Sequence, residues 1–367
     1  MARHHLTRDR RLMAVLTAVT TVCLGSVGWQ LAVAAPDDPE VVNRTVSAGP
    51  DGRLDLTFTG DTMLGDGAQQ LIDAAGPDAP LKGVTPLLGG DVTIVNAEGP
   101  ITTVASPANP GAKYSYAVAP AGAKALARAG VDVLGLGNNH AMDRGGAGLA
   151  ETQQLAQAAG MSTFGAGADL AQAMRPLLLS SPQETVAVIA FGENFGPLHR
   201  STETTPGMVP LTVDRVERGV LTARAAGATR IVAFVHWGDN YADVNAQQRY
   251  WAGVLVDAGY DAVIGTGAHV LQPVELLHGT PVAYGLGNLA FGAPGRFASY
   301  GKVGVGAVAH LRWDATGRGT LRLDCVQTDN TLDGYVARAC PPTTRAAAQR
   351  VLGTRVTWNQ NTASISF

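Results

Sequence analysis

Charge is scarce in this chain. Of 367 residues 16% are charged, and 27 Lys and Arg against 30 Asp and Glu leave a formal net charge of −3. Aromatic residues make up only 6%, and no basic stripe with interleaved aromatics is visible. That composition argues against nucleic acid as the main partner, which demands a clustered positive face. Cysteine is nearly absent, with three residues in all, and Cys23 has no lipobox-like context. No short-period repeat is present. What remains is 46% hydrophobic residues and 45 Gly, a mixture that suits a packed α/β domain with many tight turns. The length allows one large domain or two small ones.

The N-terminus combines Arg3, Arg8, Arg10 and Arg11 with a run from Leu12 through Pro36 that carries no charged side chain. A helix of that length spans about 30 Å of hydrocarbon, and the Arg cluster would hold the N-terminus in the cytoplasm. An uncleaved signal anchor and a signal peptide cut after Ala34, within Ala32-Val33-Ala34, both fit residues 1–35. Either one puts the body of the protein outside the cytoplasm: at the cell membrane with a single span, or secreted. Arg10-Arg11 is a weak twin-arginine signal. In such a compartment Cys325 and Cys340 are expected to pair.

Residues 36–52, with Pro36, Pro39, Gly49, Pro50 and Gly52, read as a polar linker. A folded domain is expected over 53–330 and a C-terminal extension over 331–367, with weak order signals in the tail beyond Arg345. Six apolar runs read as buried strands, each ending abruptly in polar residues. They are Leu54–Phe58, Val92–Val95, Val131–Leu136, Ile231–Val235, Ala262–Ile264 and Val282–Leu286. Ala- and Leu-rich segments at Gly67–Ala75, Ala121–Ala129, Gly148–Ala159, Val213–Ala226 and Ala246–Ala258 read as helices. The alternation predicts an α/β domain with a largely parallel sheet core. Val303–Arg312 and Thr320–Val326 are expected to form an antiparallel hairpin.

In an open α/β sheet the ligand crevice lies beyond the carboxyl ends of the strands. Asp61, Glu98, Asn139, His140, His236, His269 and Asn288 all lie just past predicted strand ends. Each has an ordinary alternative. Asp61 could cap the next helix. Glu98 could be an exposed loop residue, and Asn138-Asn139 a turn beside an incidental His140. His236 could be a hydrogen-bonded structural group, His269 an exposed loop residue, and Asn288 a turn former. Their shared placement favours convergence on one site. Carboxylate, amide and imidazole donors together suit Mn, Fe or Zn. Two such ions can clamp a phosphoryl group and activate a water, with an unligated His as proton donor. His199, His278 and His310 lack this placement and read as structural or surface groups.

The motifs Gly60-Asp61-Thr62-Met63-Leu64-Gly65, Val95–Thr102, Gly137–Asp143, His236-Trp237-Gly238, Gly265–Gln272 and Tyr284–Asn288 follow one another in an order that resembles the CapA family of bacterial capsule (poly-γ-glutamate) synthesis proteins. The likeness covers about residues 54–292. It implies a variant of the calcineurin-like metallophosphoesterase fold, a four-layer α/β sandwich. By position, Asp61 and Glu98 would be carboxylate ligands, with Glu98 bridging, Asn139 an amide ligand, His236 and His269 imidazole ligands, and His140 the proton donor. Asn96, Asn138 and Asn288 would contact substrate. The expected cofactor is a divalent metal, one or two ions. The expected partners are a cell-envelope polymer or a phosphorylated small molecule, the membrane, and other capsule synthesis proteins. Four positions depart from the family pattern: Thr266 and Gly267 stand where members often carry further His, Asp66 where Arg is frequent, and Asn240 where an acid is common. Two roles follow from the resemblance, a metal-dependent hydrolase of an envelope substrate and a non-catalytic component that binds an anionic polymer.

Overall fold

In a computed structural model describing residues 41–193 and 195–367, the apolar runs become strands of two mixed sheets. The Leu12–Pro36 run lies outside the described residues. In the first sheet Asp55–Met63, Val92–Ala97, Val133–Gly135 and Ser162–Phe164 are parallel neighbours. Val305–Trp313 joins Asp55–Met63 antiparallel and forms the expected hairpin with Gly319–Gln327. In the second sheet Thr185–Gly192, Arg230–His236, Ala262–Thr266 and Thr280–Ala283 are parallel, flanked on one side by antiparallel Leu177–Ser180 and on the other by antiparallel Val274–Leu277. The fold is thus a mixed α/β arrangement of two sheets, each parallel at its centre.

One hydrophobic core lies between the sheets. Leu56, Phe58, Ile94 and Val133 meet Val186, Val188, Val232 and Ile264 there, and Phe58 lies 5.6 Å, centroid to centroid, from Phe234 of the other sheet. Burial of both faces is why these strands read as near-continuous apolar runs rather than alternating ones. Helices cover the outer faces. Residues of Asp66–Ala75, Ala121–Arg128 and Gly145–Ala158 pack on the first sheet, and residues of Val213–Ala225 and Ala246–Ala258 on the second. The last of these begins with a capping box in which Asn245 and Gln248 bond each other's backbone.

Two segments have more order than their composition suggested. Val42–Thr45, read as linker, is a strand paired with Leu177–Ser180. Beyond Arg338, the helix Pro342–Leu352 packs into the inter-sheet core, and Thr362–Ser366 pairs with Gly319–Gln327. Cys325 and Cys340 are disulfide-bonded, with Cα atoms 5.4 Å apart. The bridge ties the hairpin to the start of that helix. Among the described residues no helix is long and apolar enough to cross a membrane.

Closing a loop with a sequence separation of 15 is worth about 3 kcal/mol in the chain-entropy model. Replacing both Cys325 and Cys340 by Ala should therefore lower the unfolding free energy by about 3 kcal/mol, seen as a lower denaturant midpoint, with an m-value that is equal or larger because the uncrosslinked chain unfolds to a more expanded state. An unshifted midpoint would show that packing alone holds the C-terminal segment.

Candidate functional site

The strand Asp55–Met63 breaks register with its neighbour between Thr59 and Asp61. Gly60 permits the break, since a Cβ there would lie 1.7 Å from the Gly287 carbonyl oxygen. The Asp61 N–H donates to that same oxygen at 2.9 Å. Asp61 is thereby fixed with no exposed surface. It caps no helix, because the next one starts at Asp66 with Gly65 as its cap.

Four groups converge on the Asp61 carboxylate. Asn96 Nδ2 donates at 2.8 Å, and the Gly267 N–H reaches both oxygens at 3.1 Å. His269 Nδ1 lies 3.2 Å away and His236 Nδ1 3.7 Å away. Burial would raise the Asp61 pKa, but His269, His236 and Asn96 together hold it below the usual value. His269 Nδ1 also faces Asn288 Oδ1 at 2.9 Å. With two acceptors before it, Nδ1 carries a proton, and Nε2 is turned to Glu98 Oε1 at 3.7 Å. His269 sits in left-handed backbone, φ 59°, which few non-glycine residues adopt. Burial lowers its pKa, yet the Glu98 and Asp61 carboxylates outweigh burial and raise it to about 9.

Glu98 follows the strand Val92–Ala97 and is 1% exposed. Neither of its carboxylate oxygens has a hydrogen-bond partner. Burial, reinforced by the Asp61 charge, raises its pKa well above the usual value despite His269. A buried carboxylate without donors is costly unless protonated or bound to a cation. Ligand atoms of Asp61, Glu98 and His269 all lie within 4.8 Å of one another, a donor set that fits a divalent metal. Asn139 Oδ1 is another buried acceptor without a partner, and Asn139 lines the cavity above Glu98. The residues therefore fit one ion through Asp61, Glu98 and His269 Nε2.

His236 stands beside this group rather than within it. Its Nδ1 is 3.1 Å from Asn96 Nδ2 and 3.2 Å from Thr266 Oγ1, and burial lowers its pKa to about 4. The loop position expected to carry further His is closed. Gly267 has φ 102°, and a Cβ there would lie 2.8 Å from the Trp237 carbonyl oxygen and 2.9 Å from its nitrogen.

Asn96, Asn138 and Asn288 were expected to contact substrate. None of the three lines the cavity of about 340 Å³ that contains Glu98, Asn139, His140, His236 and His269. They are sealed beneath it. Asn138 donates to Asn96 Oδ1 at 3.0 Å and to the Ala97 carbonyl at 2.9 Å, and accepts the His140 N–H at 3.0 Å. Asn96 and Asn138 thus link Asp61 to His140 as positioning residues. Asn288 orients His269.

His140 Nδ1 donates to Asp143 Oδ2 at 2.7 Å, and that oxygen also takes the Tyr116 N–H at 2.6 Å. The carboxylate fixes the tautomer and turns Nε2 toward Glu98 Oε1, 3.8 Å away. Sequence reasoning missed Asp143 as a functional residue, although its place three residues after His140 was the signal. It also missed Glu193, whose carboxylate accepts the Gly238 N–H at 3.0 Å. Glu193 follows an apolar strand ending in Phe191-Gly192, the same pattern that marked the other site residues. Of the remaining histidines, His278 is exposed, His310 is buried against Thr57, and His199 is half-buried.

A family model described as "Bacterial capsule synthesis protein PGA_cap" matches residues 55–293. The chain is 29% identical over 244 residues to the PGA biosynthesis protein CapA of Bacillus subtilis, covering 66% of this chain and 64% of that protein. It is 25% identical over 303 residues to the capsule biosynthesis protein CapA of Bacillus anthracis, covering 77% and 69%. A probable polyglutamine synthesis accessory protein of Mycobacterium tuberculosis is 30% identical over 211 residues, 54% of this chain and 55% of that one. Among solved structures, a phosphatase from Mycoplasma pneumoniae is similar with TM-score 0.43 and 13% identity, covering 78% of this chain and 90% of that one. A putative 5'-nucleotidase from Staphylococcus aureus is similar with TM-score 0.41 and 13% identity, covering 81% and 58%.

The Glu98 carboxylate gives a direct test. Its raised pKa means that the metal-free native state keeps a proton that the unfolded chain releases near the usual value of 4.5. Stability from this group is full below that value and falls as pH rises toward the folded pKa. Glu98→Gln should therefore raise the melting temperature of chelator-treated protein at neutral pH. It should also abolish the stabilisation by added Mn or Zn, which reaches about 2.7 kcal/mol at a hundredfold excess over Kd. If the variant gains as much from metal as the wild type, Glu98 is not a ligand.

Proposed function

The chain belongs to the bacterial capsule synthesis protein family PGA_cap, and on that premise we propose that it is an extracytoplasmic, metal-dependent hydrolase of a cell-envelope substrate, built on a metallophosphoesterase-type fold and serving capsule or polyglutamate synthesis. One observation carries the catalytic part: the unpartnered Glu98 carboxylate, beside Asp61 and His269, on a cavity that also presents an oriented His140.

A divalent ion bound there would lower the pKa of a water and polarise an ester oxygen. The chain's own residues supply the rest. Asp61 is held ionised by its four partners. His269 presents Nε2 because Asn288 and Asp61 fix the proton on Nδ1. His140, its Nδ1–H held by Asp143, directs Nε2 into the cavity, where in its doubly protonated form it can give the Nε2 proton to a leaving oxygen and become neutral.

A second reading, polymer binding without catalysis, is favoured by Gly267. Its N–H occupies both Asp61 oxygens, and its backbone leaves no room for a further imidazole. Metal analysis with a phosphoesterase screen separates the two. Under the hydrolase reading His140→Ala should keep its metal and lose kcat by about a hundredfold or more, while His269→Ala should lose the metal. A metal-loaded protein inactive on every ester would leave the binding role.

The Arg-flanked apolar run Leu12–Pro36 supports an anchored outer-face location. Protease added to intact spheroplasts should then digest residues 53–330. Protection of that span would contradict this topology.

A further inference from the structure

A chain of rings surrounds the mouth of the cavity and closes on itself through one cation. His140 packs on Tyr116 at 4.4 Å between centroids, and Tyr116 stacks with Tyr114 at 6.4 Å. On the other side His269 lies 5.6 Å from Tyr241. Arg296 joins the two halves, with its guanidinium carbon 5.2 Å from the Tyr114 ring and 5.2 Å from the Tyr241 ring. The ring of Tyr300 adds a third contact at 5.6 Å. Lys113 lies over the Tyr114 ring at 5.3 Å. Both Arg296 and Lys113 line the same cavity as Glu98 and His269.

A structural arginine is ordinarily paired with a carboxylate. Among the described residues Arg296 takes part in no ion pair, and its guanidinium packs against the Tyr114, Tyr241 and Tyr300 rings. Stacking on aromatic faces fixes the guanidinium plane while leaving in-plane N–H donors available, and that fork matches a carboxylate or phosphate. Past His140 the cavity adjoins a second one of about 250 Å³ that shares Lys113, Tyr114, Ser115, Asn139, His140 and Asn240 with it. The two cavities adjoin along a shared wall that includes His140.

We propose that Arg296, clamped by Tyr114, Tyr241 and Tyr300, anchors a second oxyanion of an elongated ligand whose reacting group lies against Glu98, His140 and His269. The inference rests on the reading of this site as one for an anionic envelope substrate, and adds that the ligand carries at least two anionic groups along a chain. Arg296 is a specificity-determining residue in this scheme. Its oxyanion is either a carboxylate of an acidic oligomer or a phosphate of a phosphodiester chain.

Binding by the full chain decides it, with three probes: a γ-linked glutamate oligomer, a glycerol phosphate oligomer, and inorganic phosphate as a single anion. Arg296→Ala should weaken whichever oligomer binds by about tenfold or more, with inorganic phosphate binding and metal content unchanged. Arg296→Lys should restore only part of the loss, because ammonium lacks the fork. Tyr300→Ala, at an exposed ring, should cost about two- to fivefold. An Arg296→Ala variant that binds the oligomers like the wild type overturns the anchor, as does an equal loss for inorganic phosphate. A wild type that binds metal but neither oligomer also sinks the anchor and leaves the hydrolase reading standing. A wild type without metal that still binds an oligomer through Arg296 does the reverse.

Discussion

Two carboxylates buried side by side, Asp61 and Glu98, set the terms for the rest of the site. Like charges in a dry environment oppose each other strongly, and desolvation penalises both. The fold resolves the conflict unequally. Asp61 receives an amide, a backbone N–H and two imidazole neighbours, and so stays ionised. Glu98 receives no donor at all. The arrangement therefore favours positive charge at a defined spot, which a proton on Glu98, the His269 cation or a bound metal would supply. That asymmetry separates this site from a salt-bridge network, in which each carboxylate would have its own partner.

Holding the asymmetry requires both sheets. Asp61, Asn96 and Glu98 come from the carboxyl ends of the first sheet, and His236 and Thr266 from those of the second. The chain crosses between them after Ala283, and Asn288 then pairs beside Asp61. Gly60 lets that crossing backbone approach. Gly267 lets the opposite loop reach the carboxylate, and His269 accepts a left-handed backbone to present its ring. Sparse backbone conformations of this kind persist only where surrounding structure over-determines them. Here the inter-sheet core does so, with Phe58, Phe234 and Ile264 fully or nearly buried behind the site.

The polar layer and the aromatic layer divide the work around this centre. Beneath it, Asn96 and Asn138 form a sealed hydrogen-bonded relay from Asp61 to the backbone of His140. Above it, Tyr116 and Tyr241 pack on His140 and His269 and restrict how their rings can turn. A functional constellation has to be held within narrow limits, and rings locked by packing supply that restraint.

The sequence by itself determined which strands end in polar residues and hence where a site would form. Apolar runs of five or so residues are legible because burial on both faces demands them, and Asp61, Glu98, His140, His236 and His269, picked out by their place after such runs, lie close together in the fold. The cysteine pairing was legible from the scarcity of cysteine. What only the tertiary structure decided were relations between distant segments. Asn96, Asn138 and Asn288 looked like substrate contacts, since an amide at a strand end says nothing about which side of the cavity floor it occupies. Asp143, Glu193 and Arg296 acquire roles only through neighbours far along the chain, the last from rings at 114, 241 and 300. The division into two sheets was equally hidden, because a parallel strand looks the same whichever sheet receives it. Local periodicity records burial, but partners and facing direction are properties of how the whole chain closes on itself.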